Sequence, residues 1–293
     1  MKFGDFEIRA FVEQKFKLDG GSMFGIIPKS MWSKQVPSDE NNLIPMVTNL
    51  FVLKAHDRVF LFEAGLGDSL SEKEKKVYGT DGKSRLESGL DSMGLTVEDI
   101  NYVILTHLHT DHCGGAVKKK GRKYMPRFPH ATYIIGQREW DDAMHPDERT
   151  RAVYSAERLL PLEESGQATF IDCDTELFPG INLVFTGGHT RGHFGIEIQS
   201  GRRKVFYYSD IFCTSAHMKV PVVAAADLYP LDTMDVKRRK LPEIVNRDVV
   251  MAFDHDIYAP LAKIKSVKGK IVVHPVQTGL DEFQDLQAGR VEQ

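Results

Sequence analysis

Apolar and polar residues alternate from position 5 to 18, the two-residue period of a half-buried strand, and Asp19-Gly20-Gly21 then supplies a turn. Positions 23–27 read as a returning strand, so the chain is expected to open on a hairpin. Runs at 47–53 and 59–63 form a second pair around Ala55-His56-Asp57-Arg58 and end at Ala64-Gly65-Leu66-Gly67. Helix-favouring charged stretches follow at 71–78 and 84–93. Thr96 is placed to cap a single turn over 96–100, after which Tyr102-Val103-Ile104-Leu105 predicts a buried strand ending at Thr106. Further strands are predicted at 131–135, 181–185, 194–198, 205–208, 249–253 and 270–273. Helices are predicted at 137–143, across 145–166 with a break at Pro161, at 236–247, and from Tyr258 onward. The strands therefore come in two batches, with helices between and after them. No internal repeat, low-complexity tract or Gly/Ser linker interrupts them. The expectation is a single domain over 1–293, with 1–45 as an N-terminal hairpin and loop extension and 280–293 as a polar tail.

Composition narrows the class. The 293 residues are 42% hydrophobic, enough to bury a full core. Lys and Arg number 38 against 41 Asp and Glu, a balance of −3 that gives no reason to expect a nucleic-acid partner and leaves a small molecule as the expected substrate. The three cysteines, Cys113, Cys173 and Cys213, form no CxxC pair, which fits a reducing, cytoplasmic setting better than a disulfide framework. The N-terminus alternates instead of forming an apolar signal core, and no run nears the roughly 18 apolar residues of a membrane span, so neither export nor a membrane partner is expected.

The chemistry concentrates at His107-x-His109-x-Asp111-His112. In an extended chain leaving a strand, His107, His109 and Asp111 project to one side and His112 to another, so one loop serves two metals. Gly114 and Gly115 allow the backbone to turn closely behind it. Chance gives the four-residue pattern on the order of one time in a thousand at this composition. Imidazole and carboxylate suit borderline transition metals, and more of them wait in turn-like places: His189 in Gly187-Gly188-His189-Thr190, Asp210 after Ser209, and His255 in Asp254-His255-Asp256. Each follows a predicted strand.

The order HxHxDH, GHTxGH, SD, DHD resembles that of the metallo-β-lactamase superfamily, from about residue 53 to 275. The resemblance implies an α/β fold built as an αββα sandwich, two mixed sheets flanked by helices. It implies two divalent cations, zinc in first place with iron or manganese as alternatives. His107, His109 and His189 would hold one, Asp111, His112 and His255 the other, and Asp210 both. The implied activity is attack of metal-activated hydroxide on a small ester-like substrate, with lactone ahead of carboxylester and organophosphate, and Asp111 as the residue that orients the nucleophile or passes the proton. Competing readings are a thioesterase of the glyoxalase II kind and an iron-dependent oxidoreductase on the same fold. The segment Asp19-Gly20-Gly21-Ser22-Met23-Phe24-Gly25, with Pro28-Lys29 and Trp32, is similar to the N-terminal loop of the branch holding N-acyl-homoserine lactonases and methyl-parathion hydrolase. Two positions depart from that pattern. Glu63-Ala64-Gly65 stands where the superfamily commonly has Asp-Thr-Gly, and Cys213 stands where the best-known lactonases have Tyr.

Outside the ligand set the roles are more open. Met23, Phe24, Cys213 and His217 are candidate substrate contacts, while Met23 and Phe24, with Met31 and Trp32, are as consistent with ordinary core or a homodimer contact. His193 closes the GHTRGH run and is read as bracing a ligand or backbone. Cys113 is read as a small buried residue behind the loop, and the lysines at 118–120 as a solvated loop.

Overall fold

Alternating burial at the start of the chain is a long strand: after the short β1 (Lys2–Phe3), β2 runs over Phe6–Asp19. The expected return at 23–27 does not form. Asp19 accepts a hydrogen bond from the Ser22 amide and caps a short helix, Gly20–Phe24, instead. Gly20 has Trp32 so close behind it that a Cβ would fall 2.3 Å from the indole. The chain then passes into β3 (Leu43–Ala55), β4 (Arg58–Phe62) and β5 (Tyr102–Leu105). A two-stranded ribbon, β6 (Val117–Lys120) with β7 (Lys123–Pro126), takes up the lysines expected in a loop, and β8 (Thr132–Gly136) and β9 (Ala168–Ile171) complete the first batch. The second batch is β10 (Thr175–Phe178), β11 (Ile181–Phe185), β12 (Phe194–Ser200), β13 (Arg203–Tyr207), β14 (Val250–Ala252), β15 (Leu261–Val267) and β16 (Lys270–Gln277).

This computed structural model describes residues 1–280; residues 281–293, the rest of the expected tail, lie outside the described residues. Among the described residues two seven-stranded sheets form, in the orders β1-β2-β3-β4-β5-β8-β9 and β10 through β16 in sequence. Both are mixed. Strands β4, β5, β8 and β9 pair in parallel, and in the other sheet β13 and β14 pair in parallel among antiparallel neighbours. This is the α/β class with two large mixed sheets that the sequence predicts.

The chain divides into two compact units, one of residues 2–15 and 48–173, the other of residues 1, 16–47 and 174 onward. In the first unit Leu61, Val103, Leu105, Tyr133 and Ile135 form a core with helices Gln137–Met144 and Ala156–Glu164, and Trp140 packs there 5.0 Å from the Phe170 ring. Helix Ala156–Glu164 is shorter than the helix expected over 145–166, and it continues through Pro161 where a break was expected. In the second unit Ile181, Ile196, Val205, Met251 and Phe253 are buried, as are Val236 and Ile244 of helix Pro230–Asn246. Trp32 stacks on Phe24 there at 5.2 Å, and Phe24 on His217 at 4.7 Å. The helix expected from Tyr258 is the strand β15, because Lys268 and Gly269, both at positive φ, reverse the chain so that β16 pairs along its length. No helix of the described residues is long and apolar enough to cross a membrane.

Candidate metal centre

Parallel pairing decides which turns come together. In the first unit Phe60 pairs with Tyr102 and Phe62 with Ile104, so Glu63 and the loop after Leu105 leave the same end of the sheet. Glu63, forced to φ 60°, turns its carboxylate to accept from the amide and hydroxyl of Thr106, and its Oε1 lies 3.8 Å from His112 Nδ1. The longer side chain in the Asp-Thr-Gly position thus bonds Thr106 and lies near a predicted ligand histidine without closing to hydrogen-bond distance on that oxygen.

The loop is not extended through Asp111 as expected. It closes into a helical turn, Thr110–Cys113, with the His109 carbonyl accepting from the His112 and Cys113 amides at 3.0 and 3.1 Å. Asp111 and His112 therefore sit on successive positions of a turn, where they leave the backbone in different directions. The rings of His107 and His109 stand 4.6 Å apart and those of His107 and His112 4.0 Å apart. Asp111 Oδ2 is 3.8 Å from His112 Nε2. Thr106 Oγ1 bonds His107 Nδ1 at 3.1 Å, which leaves Nε2 as the donor to a metal. Buried Glu139 accepts from the Leu108 amide at 3.0 Å and from the Tyr154 hydroxyl at 2.7 Å, fixing the loop between its first two histidines. Cys113 donates to the Leu108 carbonyl, and burial, then Asp111 and Glu63, push its thiol pKa far up, so it packs as a neutral residue.

In the second unit Val205 pairs with Val250 and Tyr207 with Ala252, again in parallel, and the turns Ser209-Asp210 and Asp254-His255 emerge side by side. Ser209 Oγ ties them by donating to Asp254 at 2.9 Å. Asp210 stands between two imidazoles, 3.0 Å from His189 Nε2 and 3.3 Å from His255 Nε2. Both rings are held from behind: His189 Nδ1 bonds Asp227 at 2.9 Å, and His255 Nδ1 bonds the Val47 carbonyl at 2.9 Å. Thr233 in turn donates to the other Asp227 oxygen at 2.6 Å. Burial pushes the His189 pKa down, but the negative charges of Asp210 and Asp227 outweigh it and hold the imidazole well above its usual value. The cluster favours positive charge.

These donors fit divalent cations. They are buried imidazoles whose Nδ1 atoms are engaged and whose Nε2 atoms converge on a carboxylate, the arrangement metal-binding histidines need. Asp227 is absent from the sequence-based ligand list. Its one signal is a lone acidic residue ending the apolar run at 220–226.

The other candidates take internal places. His193 bonds Thr186 Oγ1 through Nδ1 at 2.6 Å and closes the turn that carries His189. Cys213 donates to the Asp210 carbonyl, and burial followed by Asp210 pushes its thiol pKa well up. His217 bonds Thr214 Oγ1 through Nδ1 and the Met23 carbonyl through Nε2, at 2.8 and 2.9 Å. Burial and the nearby Lys237 push its pKa down to about 4, so it is neutral and donates from Nε2. Met23 and Phe24 are buried, and Met31 is exposed. A small hollow lined by Phe24, Ile44, Met46, His217 and Tyr258 opens beside His255.

Comparison with known proteins agrees with this geometry. A model described as "Metallo-beta-lactamase superfamily" matches residues 43–255, and the chain belongs to that superfamily. It is thereby an enzyme of the metallo-hydrolase class, as the motif order implies. An N-acyl homoserine lactonase of Bacillus cereus is 26% identical over 228 residues, 74% of this chain and 84% of its own. A probable metal-dependent hydrolase from Staphylococcus aureus is 31% identical and superposes with a TM-score of 0.88 over 96% of this chain and 99% of its own. The dizinc quorum-quenching lactonase AidC shares the fold, with a TM-score of 0.77 at 20% identity over 94% and 96% of the two chains.

Proposed function

We propose that this protein is a metal-dependent hydrolase of ester bonds in a small substrate, with a lactone favoured, working in the cytoplasm. The single observation that carries the reading is Asp210 set 3.0 and 3.3 Å from the Nε2 atoms of two histidines whose other nitrogens are already held. On the superfamily's pattern His107, His109 and His189 would hold one cation, Asp111, His112 and His255 a second, and Asp210 would serve both. Zinc is the first choice of metal, since imidazole and carboxylate donors are what it takes in catalytic sites. When bound, such a pair supplies Lewis acidity and activates water at neutral pH.

The chain's own residues do the rest. Asp111 and His109 keep 9% and 8% of their surface exposed where His107 and His112 keep 0% and 1%, so of these four side chains they are the ones solvent reaches. The Asp111 carboxylate orients the nucleophile or carries the proton to the leaving oxygen. The hollow beside His255 is apolar, with about 10 Å³ of free space, so it offers an apolar wall and not a seat for a whole acyl group. A lactone is favoured because lactonases recur among the relatives. The internal bonding of Cys213, in the place of a lactonase Tyr, leaves ring selectivity to other side chains.

A hydrolysis screen of the zinc- and manganese-loaded protein against lactones, aryl esters, thioesters and phosphotriesters tests the reading. Metal-dependent ring opening of a lactone, abolished by chelation, is the expected result. Turnover of thioesters alone would overturn it in favour of the glyoxalase II kind of enzyme.

A further inference from the structure

Behind the histidine loop stands a carboxylate that belongs to no motif. Glu13, on β2, is 0% exposed. Its Oε2 accepts from the Thr48 hydroxyl at 2.8 Å and the Leu66 amide at 3.2 Å, and its Oε1 accepts from the Gly67 amide at 3.2 Å. Gln14, the next residue, holds the same turn by donating to the Gly67 carbonyl at 3.0 Å.

That turn carries the loop. The amides of Ala64 and Gly65 donate to the His112 carbonyl at 2.7 and 3.2 Å, and the Gly115 amide donates back to Gly65 at 3.0 Å. The two backbones leave no slack. A Cβ on Gly65 would lie 2.4 Å from Glu13 Oε2, one on Gly114 would lie 2.3 Å from the Leu66 carbonyl oxygen, and one on Gly115 would lie 2.1 Å from that of Ala64.

A buried carboxylate is costly to keep, and here burial pushes the Glu13 pKa up to about 7 against hydrogen bonds from Ser84, Thr48, Leu66 and Gly67. An apolar residue of similar size would carry no such cost. It would also leave two turn amides without their acceptor.

We propose that Glu13 is a positioning residue for the metal loop: by holding the 64–67 turn it fixes the backbone of His112 and with it the aim of that imidazole. The inference rests on the reading of the 107–112 loop as metal ligands.

Cobalt(II) binding to the full-length protein, followed by its visible absorption, reads both affinity and ligand geometry. Glu13→Gln keeps size but places an NH2 where an amide needs an acceptor. It is expected to bind cobalt(II) at least about tenfold more weakly, with shifted bands, while circular dichroism shows the wild-type fold. Wild-type affinity and spectrum in that variant would overturn the positioning role and leave the metal reading standing. No cobalt(II) binding by the wild type would instead overturn both. Should Glu13→Gln not fold, Thr48→Ser and Thr48→Val decide as a pair, since the hydroxyl both donates to Glu13 and accepts from the Gln14 amide and only Ser keeps it: a severalfold loss of affinity in Val that Ser does not show supports the role, and equal affinity in the two overturns it.

Discussion

A histidine ligand is aimed by whatever holds its far nitrogen, and for His189 that group is Asp227. Asp227→Asn keeps the Thr233 contact but removes the charge facing the ring. The variant should fold normally and lose about 10- to 100-fold in zinc affinity, measured by competition with a chromophoric chelator. Retained affinity would mean that the ring is held by its surroundings alone. Of the residues involved, His107, His109, Asp111 and His112 were legible in the sequence because one short run carries them. Asp227 was not, because its partner is 38 positions away and only the fold joins them. The same limit applies to His217 and Cys213: nothing in composition reveals that both ring nitrogens of the one and the thiol of the other are bonded inside the protein.

Strands ending in parallel pairs explain why separate turns meet. The strands β4, β5, β13 and β14 were foreseeable from their apolar runs and form as predicted, whereas their parallel pairing is known only from the fold. Where it failed, a local contact outweighed the pattern. Asp19 capping a helix turned 20–24 away from a strand, and the reversal at Lys268-Gly269 made a hairpin from the segment after Tyr258. The packing of the 64–67 turn on the 112–115 loop has its own consequence. In Gly115→Ala the new methyl would meet a backbone oxygen, which cannot swing aside as a side chain can. A loss of about 1–3 kcal/mol in urea unfolding is expected, together with a lower metal content by elemental analysis. Unfolding and metal content equal to the wild type would show that the two backbones part easily.

At the scale of the whole chain, bound metal acts as a ligand of the native state. With free zinc at a hundred times its dissociation constant, binding adds about 2.7 kcal/mol of stability. A chelator should therefore lower the unfolding midpoint, and zinc should restore it; identical curves with and without chelator would speak against tight native-state binding. The 41 acidic and 38 basic side chains nearly balance, so changes in net charge contribute little to such a comparison near neutral pH. The chain has two tryptophans, and the fold assigns one to each unit: Trp140 beside Phe170, Trp32 against Phe24. Each indole is thus a built-in fluorophore for one unit. Replacing either by Phe leaves a single emitter, so the melting of each unit can be followed in turn without any added dye.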